Sequence, residues 1–251
     1  MINLKFFIDF DGTITKTDVV DKILERFAAP EWKAIEKEWI SEKIGSRECL
    51  SRQLRLVRAT KEEFYDFLKT VEVDSGFVDF IACLDEWSIP AFVVSDGFDL
   101  VIREVLKRAF NGRPKLLSGL KVFCNNLEWT QDGFKVVFPE NGLCEHGCAS
   151  CKPHAIEKLV DKEDKIIFIG DGWSDRFAAE ISDLVFAKNK LLSFCEQEKI
   201  NSLSYQSFKD VQDWLERYLS TGNIEMTSKQ LQWNKPAASS AGHKPPLRLL
   251  D

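Results

Sequence analysis

The residues best suited to chemistry form a short run near the start of the chain, Asp9-Phe10-Asp11-Gly12-Thr13. Two carboxylates two residues apart at the end of an extended segment share one face, because a strand alternates with period two. The glycine after them lets the backbone approach an anion. Taken alone, the pair reads as readily as two acids decorating a loop. Three further groups change that reading. Ser95-Asp96-Gly97 offers a hydroxyl and backbone amides suited to a phosphate. Lys152 opens a helical pattern, where an ammonium and a helix N-terminus both favour an anion. Gly170-Asp171-Gly172-Trp173-Ser174-Asp175 supplies two more carboxylates. Oxygen ligands beside an exposed water site are what Mg²⁺ requires.

These groups need elements to bring them together. Residues 4–9 (LKFFID), 89–95 (IPAFVVS) and 165–170 (KIIFIG) are short, continuous apolar runs, each ending at a small or polar residue. Such runs mark strands buried on both faces, as in a parallel sheet. Residues 184–187 (LVFA) are a shorter candidate. Helical patterns lie between them at 76–87, 98–109, 153–160 and 174–181, with Pro153 expected at a first helical position. The alternation predicts an α/β fold with a doubly wound, Rossmann-like parallel sheet, whose ligands bind beyond the carboxyl ends of the strands.

Residues 17–74 break the alternation with helical patterns at 19–27, 32–40, 48–57 and 61–70 and no convincing strand. This predicts a helical cap inserted after the first strand, with 1–16 and 75–219 forming the core. Within 123–138, Asp132-Gly133 separates two strand-like runs, the preferred chemistry of a two-residue hairpin turn. Residues 220–251 lack a periodic apolar face and are expected to be a flexible tail.

Composition narrows the function classes. A 251-residue chain with 44% apolar and 29% charged residues is that of a globular protein, neither disordered nor fibrous. A net charge of −6 argues against duplex nucleic acid or an anionic membrane as partner. No apolar run approaches the roughly 20 residues of a membrane span. The N-terminus shows no basic lead or small-residue cleavage site, so a cytoplasmic location with reduced thiols is expected for the seven cysteines.

Asp9-Phe10-Asp11-Gly12-Thr13, Ser95, Lys152 and Gly170-Asp171-Gly172-x-x-Asp175, in that order, resemble the four motifs of the haloacid dehalogenase superfamily. The likeness spans about residues 4–219. The helical insertion is similar to the small cap of the phosphoserine phosphatase-like branch. Ala29-Pro30-Glu31-Trp32, Cys124-Asn125 and the Cys-rich run into Cys151-Lys152-Pro153 further resemble the methionine-salvage phosphatases acting on 2-hydroxy-3-keto-5-methylthiopentenyl-1-phosphate.

That resemblance implies a Mg²⁺-dependent phosphomonoesterase working through an aspartyl-phosphate. Asp9 would be the nucleophile and Asp11 the general acid and base. Mg²⁺ would be held by the Asp9 carboxylate, the Asp11 backbone carbonyl and Asp171, with Asp175 supporting the site from behind. Ser95, Lys152 and the amides around Gly97 would clamp phosphate oxygens. Relatives often carry Gly where Asp96 stands; its acid is expected to turn toward the cap or solvent. Relatives place an acid and an arginine against the non-phosphate end of the substrate, which implicates Asp18 and Arg52. Capping of the helix at Val19 is the alternative for Asp18, and a surface ion pair for Arg52.

Cys144, Cys148 and Cys151 form a C-x₃-C-x₂-C run, with Cys124 near through the hairpin as a fourth ligand for structural Zn²⁺. Reduced thiols beside Lys152 are the alternative. Trp32, Trp39 and Trp87 are expected in the core, and Trp173 at the pocket edge. The expected partner is a small phosphomonoester, with phosphoserine or a phosphoethanolamine- or phosphocholine-like ester as alternative substrates. A catalytically silent scaffold of the same fold is the alternative of a different class. Oligomeric state has no signature in the sequence.

Overall fold

The computed structural model describes residues 3–130, 133–139, 144 and 146–221. Strand β1 (Leu4–Ile8) leads into helices α1 (Val19–Phe27), α2 (Trp32–Ile40), α3 (Ser46–Leu54) and α4 (Lys61–Leu68). Then follow α5 (Phe77–Glu86), β2 (Ala91–Phe98), α6 (Asp99–Ala109), α7 (Pro114–Gly119), β3 (Lys121–Thr130) and β4 (Gly133–Val137). The chain continues through α8 (Lys152–Glu157), β5 (Lys165–Gly170), α9 (Arg176–Glu180), β6 (Leu184–Ala187), α10 (Asn189–Glu198), β7 (Ser202–Ser204) and α11 (Phe208–Thr221).

The strands form one sheet in the order β4-β3-β2-β1-β5-β6-β7, parallel except for β4. The unbroken apolar runs explain its burial. On β1, Leu4, Phe6 and Ile8 enter one core, and Phe7 enters the other. On β5, Ile167 and Ile169 face the first core while Ile166 and Phe168 face the second. Period-two alternation thus splits each run between two layers. The first layer is closed by apolar faces of α5, α6 and α11, such as Phe80, Val105 and Phe208. The second is closed by Ile156 of α8, Ala178 and Ala179 of α9, and Leu191 of α10. Each fully buried Phe or Ile contributes roughly 1.5–3 kcal/mol. Both layers leave the carboxyl ends of β1, β2 and β5 adjacent.

Helices α1–α4 lie between β1 and α5, in the segment expected to form the cap. Thr15 and Val73 form an antiparallel bridge, and Asp74 N–H donates to the Ile14 carbonyl at 2.9 Å. The segment therefore leaves and rejoins the sheet at one point. Its packing extends beyond residue 74: Phe64 of α4 meets Trp129 and Phe134 of the β3–β4 hairpin at ring-centre distances of 5.5 and 4.8 Å.

Several expectations change. The long β3 is parallel to β2 along its first half and pairs with β4 along its second. The pattern alone shows only the hairpin half. Gly133 is already a strand residue, paired with Thr130, and residues 131–132, which include the Asp132 of the expected turn, lie outside the described residues. Pro153 sits behind Lys152, which itself begins α8. Helix α11 runs through Thr221, so 220 and 221 are helical; the remainder of the expected tail, 222–251, lies outside the described residues. Trp87 is 51% exposed, not in the core, because the helix before it ends at Glu86.

Candidate active site

A cavity of about 390 Å³ opens where α1, α2 and α3 overhang the carboxyl ends of the strands. Asp9, Asp11, Asp96, Gly97, Asp171 and Trp173 line its floor, and Asp18 stands in its wall. Asp9 directly follows β1, buried, with its N–H donating to the Ile169 carbonyl at 2.9 Å. Sheet pairing thus fixes its position.

The chain then turns sharply through Phe10–Ile14. Gly12 has φ +72°, and a Cβ there would lie 2.5 Å from Asp171 Oδ2. Only glycine admits both the left-handed backbone and that close approach. The turn presents Asp11, whose Oδ1 accepts the Val19 N–H at 2.9 Å. Burial pushes the Asp11 carboxyl up to about 7, against the pull of that amide.

Lys152 begins α8 with its ammonium buried. It donates to Asp9 Oδ1 at 2.6 Å and to Asp175 Oδ1 at 2.5 Å. Asp175 is fully buried, and its Oδ2 accepts the backbone amides of Asp171 and Gly172, both at 3.0 Å. These bonds shape the loop that carries Asp171. Asp171 accepts from the Thr13 hydroxyl at 3.2 Å and from the Asn189 amide at 3.1 Å.

Oxygen atoms of Asp9, Asp171 and Asp175 lie within 4.8 Å of one another. Burial, then the Asp175 charge, drives the Asp9 carboxyl well above its ordinary range, and burial likewise raises Asp171. Asp9, Asp11, Asp171 and Asp175 outnumber the ammonium groups of Lys152 and Lys188 that act on them, which leaves surplus negative charge. The donor set therefore fits a hard divalent cation, which would supply the missing positive charge.

The other expected residues divide. Ser95 is fully buried and its Oγ accepts the Gly97 N–H at 2.9 Å. Asp96 lines the cavity while its Oδ1 accepts the Ser150 N–H at 3.1 Å, facing the loop before α8 and Ser46 of the cap. Asp18 caps α1 by accepting the Asp21 N–H at 2.8 Å, and it also lines the cavity. Arg52 is not brought to the cavity. Its guanidinium binds Glu38 at 2.7 and 3.0 Å and Glu48 at 3.3 Å on the outer side of the cap. Cys144, Cys148 and Cys151 bring their sulfurs within 4.8 Å of one another, but Cys124 is outside that group, half-buried on β3.

Several cavity residues carry no sequence signal of their own. Val20, Trp39 and Leu50 give the cap side an apolar wall, interrupted by Glu36, Cys49 and Gln53. Trp39 therefore faces the cavity and not the core. Glu36 Oε2 accepts from Gln53 Nε2 at 2.8 Å. Asn125 hides beneath the floor and donates to the Asp96 carbonyl at 2.6 Å. Helical periodicity shows that these side chains of α1, α2 and α3 face inward, without showing that an opening lies there, whereas Asn125 belongs to β3.

The family model for haloacid dehalogenase-like hydrolase matches residues 6–180. The 2-hydroxy-3-keto-5-methylthiopentenyl-1-phosphate phosphatase of Geobacillus thermodenitrificans is 32% identical over 218 residues, covering 85% of this chain and 96% of that protein. The Bacillus velezensis protein of the same name is 31% identical, covering 83% of this chain and 88% of its own. A solved structure described as a phospho-aspartyl intermediate analogue of phosphoserine phosphatase superposes with a TM-score of 0.63 at 22% identity. It covers 85% of this chain and 99% of its own.

Proposed function

The chain belongs to the haloacid dehalogenase-like hydrolase family, and as an enzyme of that family we propose that it is a phosphatase of small metabolites acting through an aspartyl-phosphate. The observation that carries this reading is the buried Lys152–Asp9 contact facing the same cavity as Asp11. The Asp9 oxygen attacks phosphorus, and the bond to the ester oxygen breaks. Asp11, near neutrality in its pKa, gives its proton to that leaving oxygen. Asp11 then takes a proton from water as the water oxygen attacks the phosphorus of the acyl phosphate, and the bond to Asp9 breaks. Lys152 orients Asp9 and opposes the protonation that burial favours there, and Asp175 holds Lys152. On this reading the Gly97 amide on the cavity floor, with the Ser95 hydroxyl buried behind it, would bind phosphate oxygens. Mg²⁺, with Asp9, Asp171 and the Asp11 carbonyl as its ligands, would neutralise charge on the transferring phosphoryl group.

For the substrate we favour 2-hydroxy-3-keto-5-methylthiopentenyl-1-phosphate. Relatives at about 32% identity carry that name, and the cap wall of Val20, Trp39 and Leu50 suits a methylthio end. Phosphoserine would bring a carboxylate needing a cation; Arg52 is engaged by Glu38 and Glu48 elsewhere, which leaves Lys190 of the cavity lining as the candidate partner and makes phosphoserine the direct competitor in the test. Among the described residues no helix is long and apolar enough to cross a membrane, consistent with a cytoplasmic metabolic enzyme. The test is phosphate release from a panel holding this enol phosphate, phosphoserine, phosphoethanolamine and phosphocholine, with Mg²⁺ and with EDTA. The expected result is metal-dependent release, greatest for the enol phosphate. Release from phosphoserine at equal kcat/KM would overturn the substrate, and release from none would overturn the activity.

A further inference from the structure

The three cysteines before Lys152 play no part in the chemistry above. Cys144, Cys148 and Cys151 are free, half-buried, and hold their sulfurs within 4.8 Å of one another. Around a tetrahedral ion with sulfur bonds of about 2.3 Å, sulfurs stand about 3.8 Å apart. The loop is already folded close to that arrangement.

Backbone amides also converge on two of these sulfurs. Cys144 Sγ accepts the Cys148 N–H at 3.2 Å and a hydrogen bond from the His146 amide, while Cys151 is bonded by the His154 amide. Amides aimed at sulfur favour the thiolate, the form in which cysteine binds metal. The Cys144 thiol is lowered accordingly, while burial raises Cys148 and Cys151, which a bound ion would deprotonate. The loop is anchored to the cap as well. The Gly147 carbonyl accepts the Arg47 N–H at 3.1 Å, and Ala149 N–H donates to Ser46 Oγ at 2.8 Å. A Cβ on Gly45 would lie 2.4 Å from the Gly147 carbonyl oxygen, so cap and loop touch backbone to backbone.

We propose that Cys144, Cys148 and Cys151 bind one thiophilic divalent cation, Zn²⁺, separate from the carboxylate site, with water completing its coordination. Three thiolates suit Zn²⁺ and not Mg²⁺, which prefers oxygen. The ion staples the loop that ends in Lys152 against the start of α3. This proposal goes beyond the phosphatase reading and does not depend on it.

The full-length chain is purified under thiol reductant, stripped of metal, exchanged into metal-free buffer and titrated with Co²⁺. Near-ultraviolet sulfur-to-cobalt absorption is expected to saturate at one ion per chain and to vanish when Zn²⁺ is added. Asp171→Asn and the remote Cys195→Ser are expected to keep the absorption, and Cys144→Ser and Cys148→Ser to lose it. Alkylation of the wild type followed by peptide mass spectrometry gives a readout that needs no variant to fold. Zn²⁺ should slow labelling of these three thiols by about tenfold or more, leaving the other four unchanged. Absence of the cobalt absorption in the reduced wild type would overturn the site, as would its survival in both serine variants. A disulfide among the three that persists under reductant would overturn it too.

Discussion

The ammonium of Lys152 donates to Asp9 Oδ1 at 2.6 Å, joining side chains 143 positions apart in the chain. Both are almost fully buried, and Asp175 completes the group. Replacing Lys152 by Met leaves two buried carboxylates without their cation. Breaking a buried pair from one side costs about 3–5 kcal/mol, and urea denaturation should show a loss of that size. Phosphate release should fall with it, because Asp9 loses its orienting partner. A Lys152→Met variant as stable as the wild type would mean that the contact does not form.

Asp9→Asn separates chemistry from folding. Lys152 keeps its bond to Asp175, so the fold should persist with an unchanged circular dichroism spectrum. Loss of the nucleophile should cut kcat by about 10³-fold or more. Mg²⁺ should raise the melting temperature of the wild type by mass action, and raise that of Asp9→Asn or Asp171→Asn less. Equal Mg²⁺ shifts in all three proteins would place the cation elsewhere.

Much of this site is legible in the sequence because its parts are local words at strand ends. Asp9, Asp11 and Asp171 stand out for the apolar runs before them, and a parallel sheet must bring such ends together. Position 152 is legible for its lysine at a helix start. What the sequence hides is relational. Arg52 has the right type and region, but whether it faces the cavity or Glu38 depends on how α2 packs on α3. Trp39 and Leu50 look like core residues because a pocket wall and a core present the same periodicity. The first half of β3 is hidden because its apolar pattern is short and partly exposed at the sheet margin.

On the proposed reading, the cap wall of Val20, Trp39 and Leu50 sets the substrate. Leu50→Ser should raise KM for the methylthio substrate by about tenfold with little change in kcat, since one apolar contact is worth about 1–3 kcal/mol. Arg52→Ala should leave kcat/KM within about twofold, because only a surface ion pair is lost. A large loss of kcat/KM in Arg52→Ala would show that this side chain leaves Glu38 to reach the substrate.

Asp11 contributes to the pH dependence alongside Asp9, Asp18 and Asp171, whose carboxyls burial raises in the same direction. Burial pushes the Asp11 carboxyl up to about 7 in the fold, whereas the unfolded chain holds it near the ordinary 3.8. The folded state therefore retains a proton that the unfolded state releases. The stability this contributes is full below the ordinary value and is lost as pH rises through about 7. In EDTA, the urea midpoint should drop between pH 5 and pH 8, and Asp11→Asn should flatten that drop. An unaltered slope in the variant would assign the titration to another group.

Gly97 gives the sharpest steric test. A Cβ there would lie 2.6 Å from Asp11 Oδ2 and 3.0 Å from Ser95 Oγ, with no room on the strand side. Gly97→Ala must push the Asp11 carboxylate away from the floor of the cavity, yet it adds one methyl and demands no unusual backbone. The fold should survive, while kcat falls about 10–100-fold, since small displacements of a positioned group carry costs of that order. Gly119→Ala, where nothing lies within 4 Å, is the matched control and should leave kcat unchanged. The Gly97→Ala pH–rate profile should also move, because Asp11 is displaced from the surroundings that raise its pKa. Wild-type kcat and an unmoved profile in Gly97→Ala would show that Asp11 does not act from the position it occupies here.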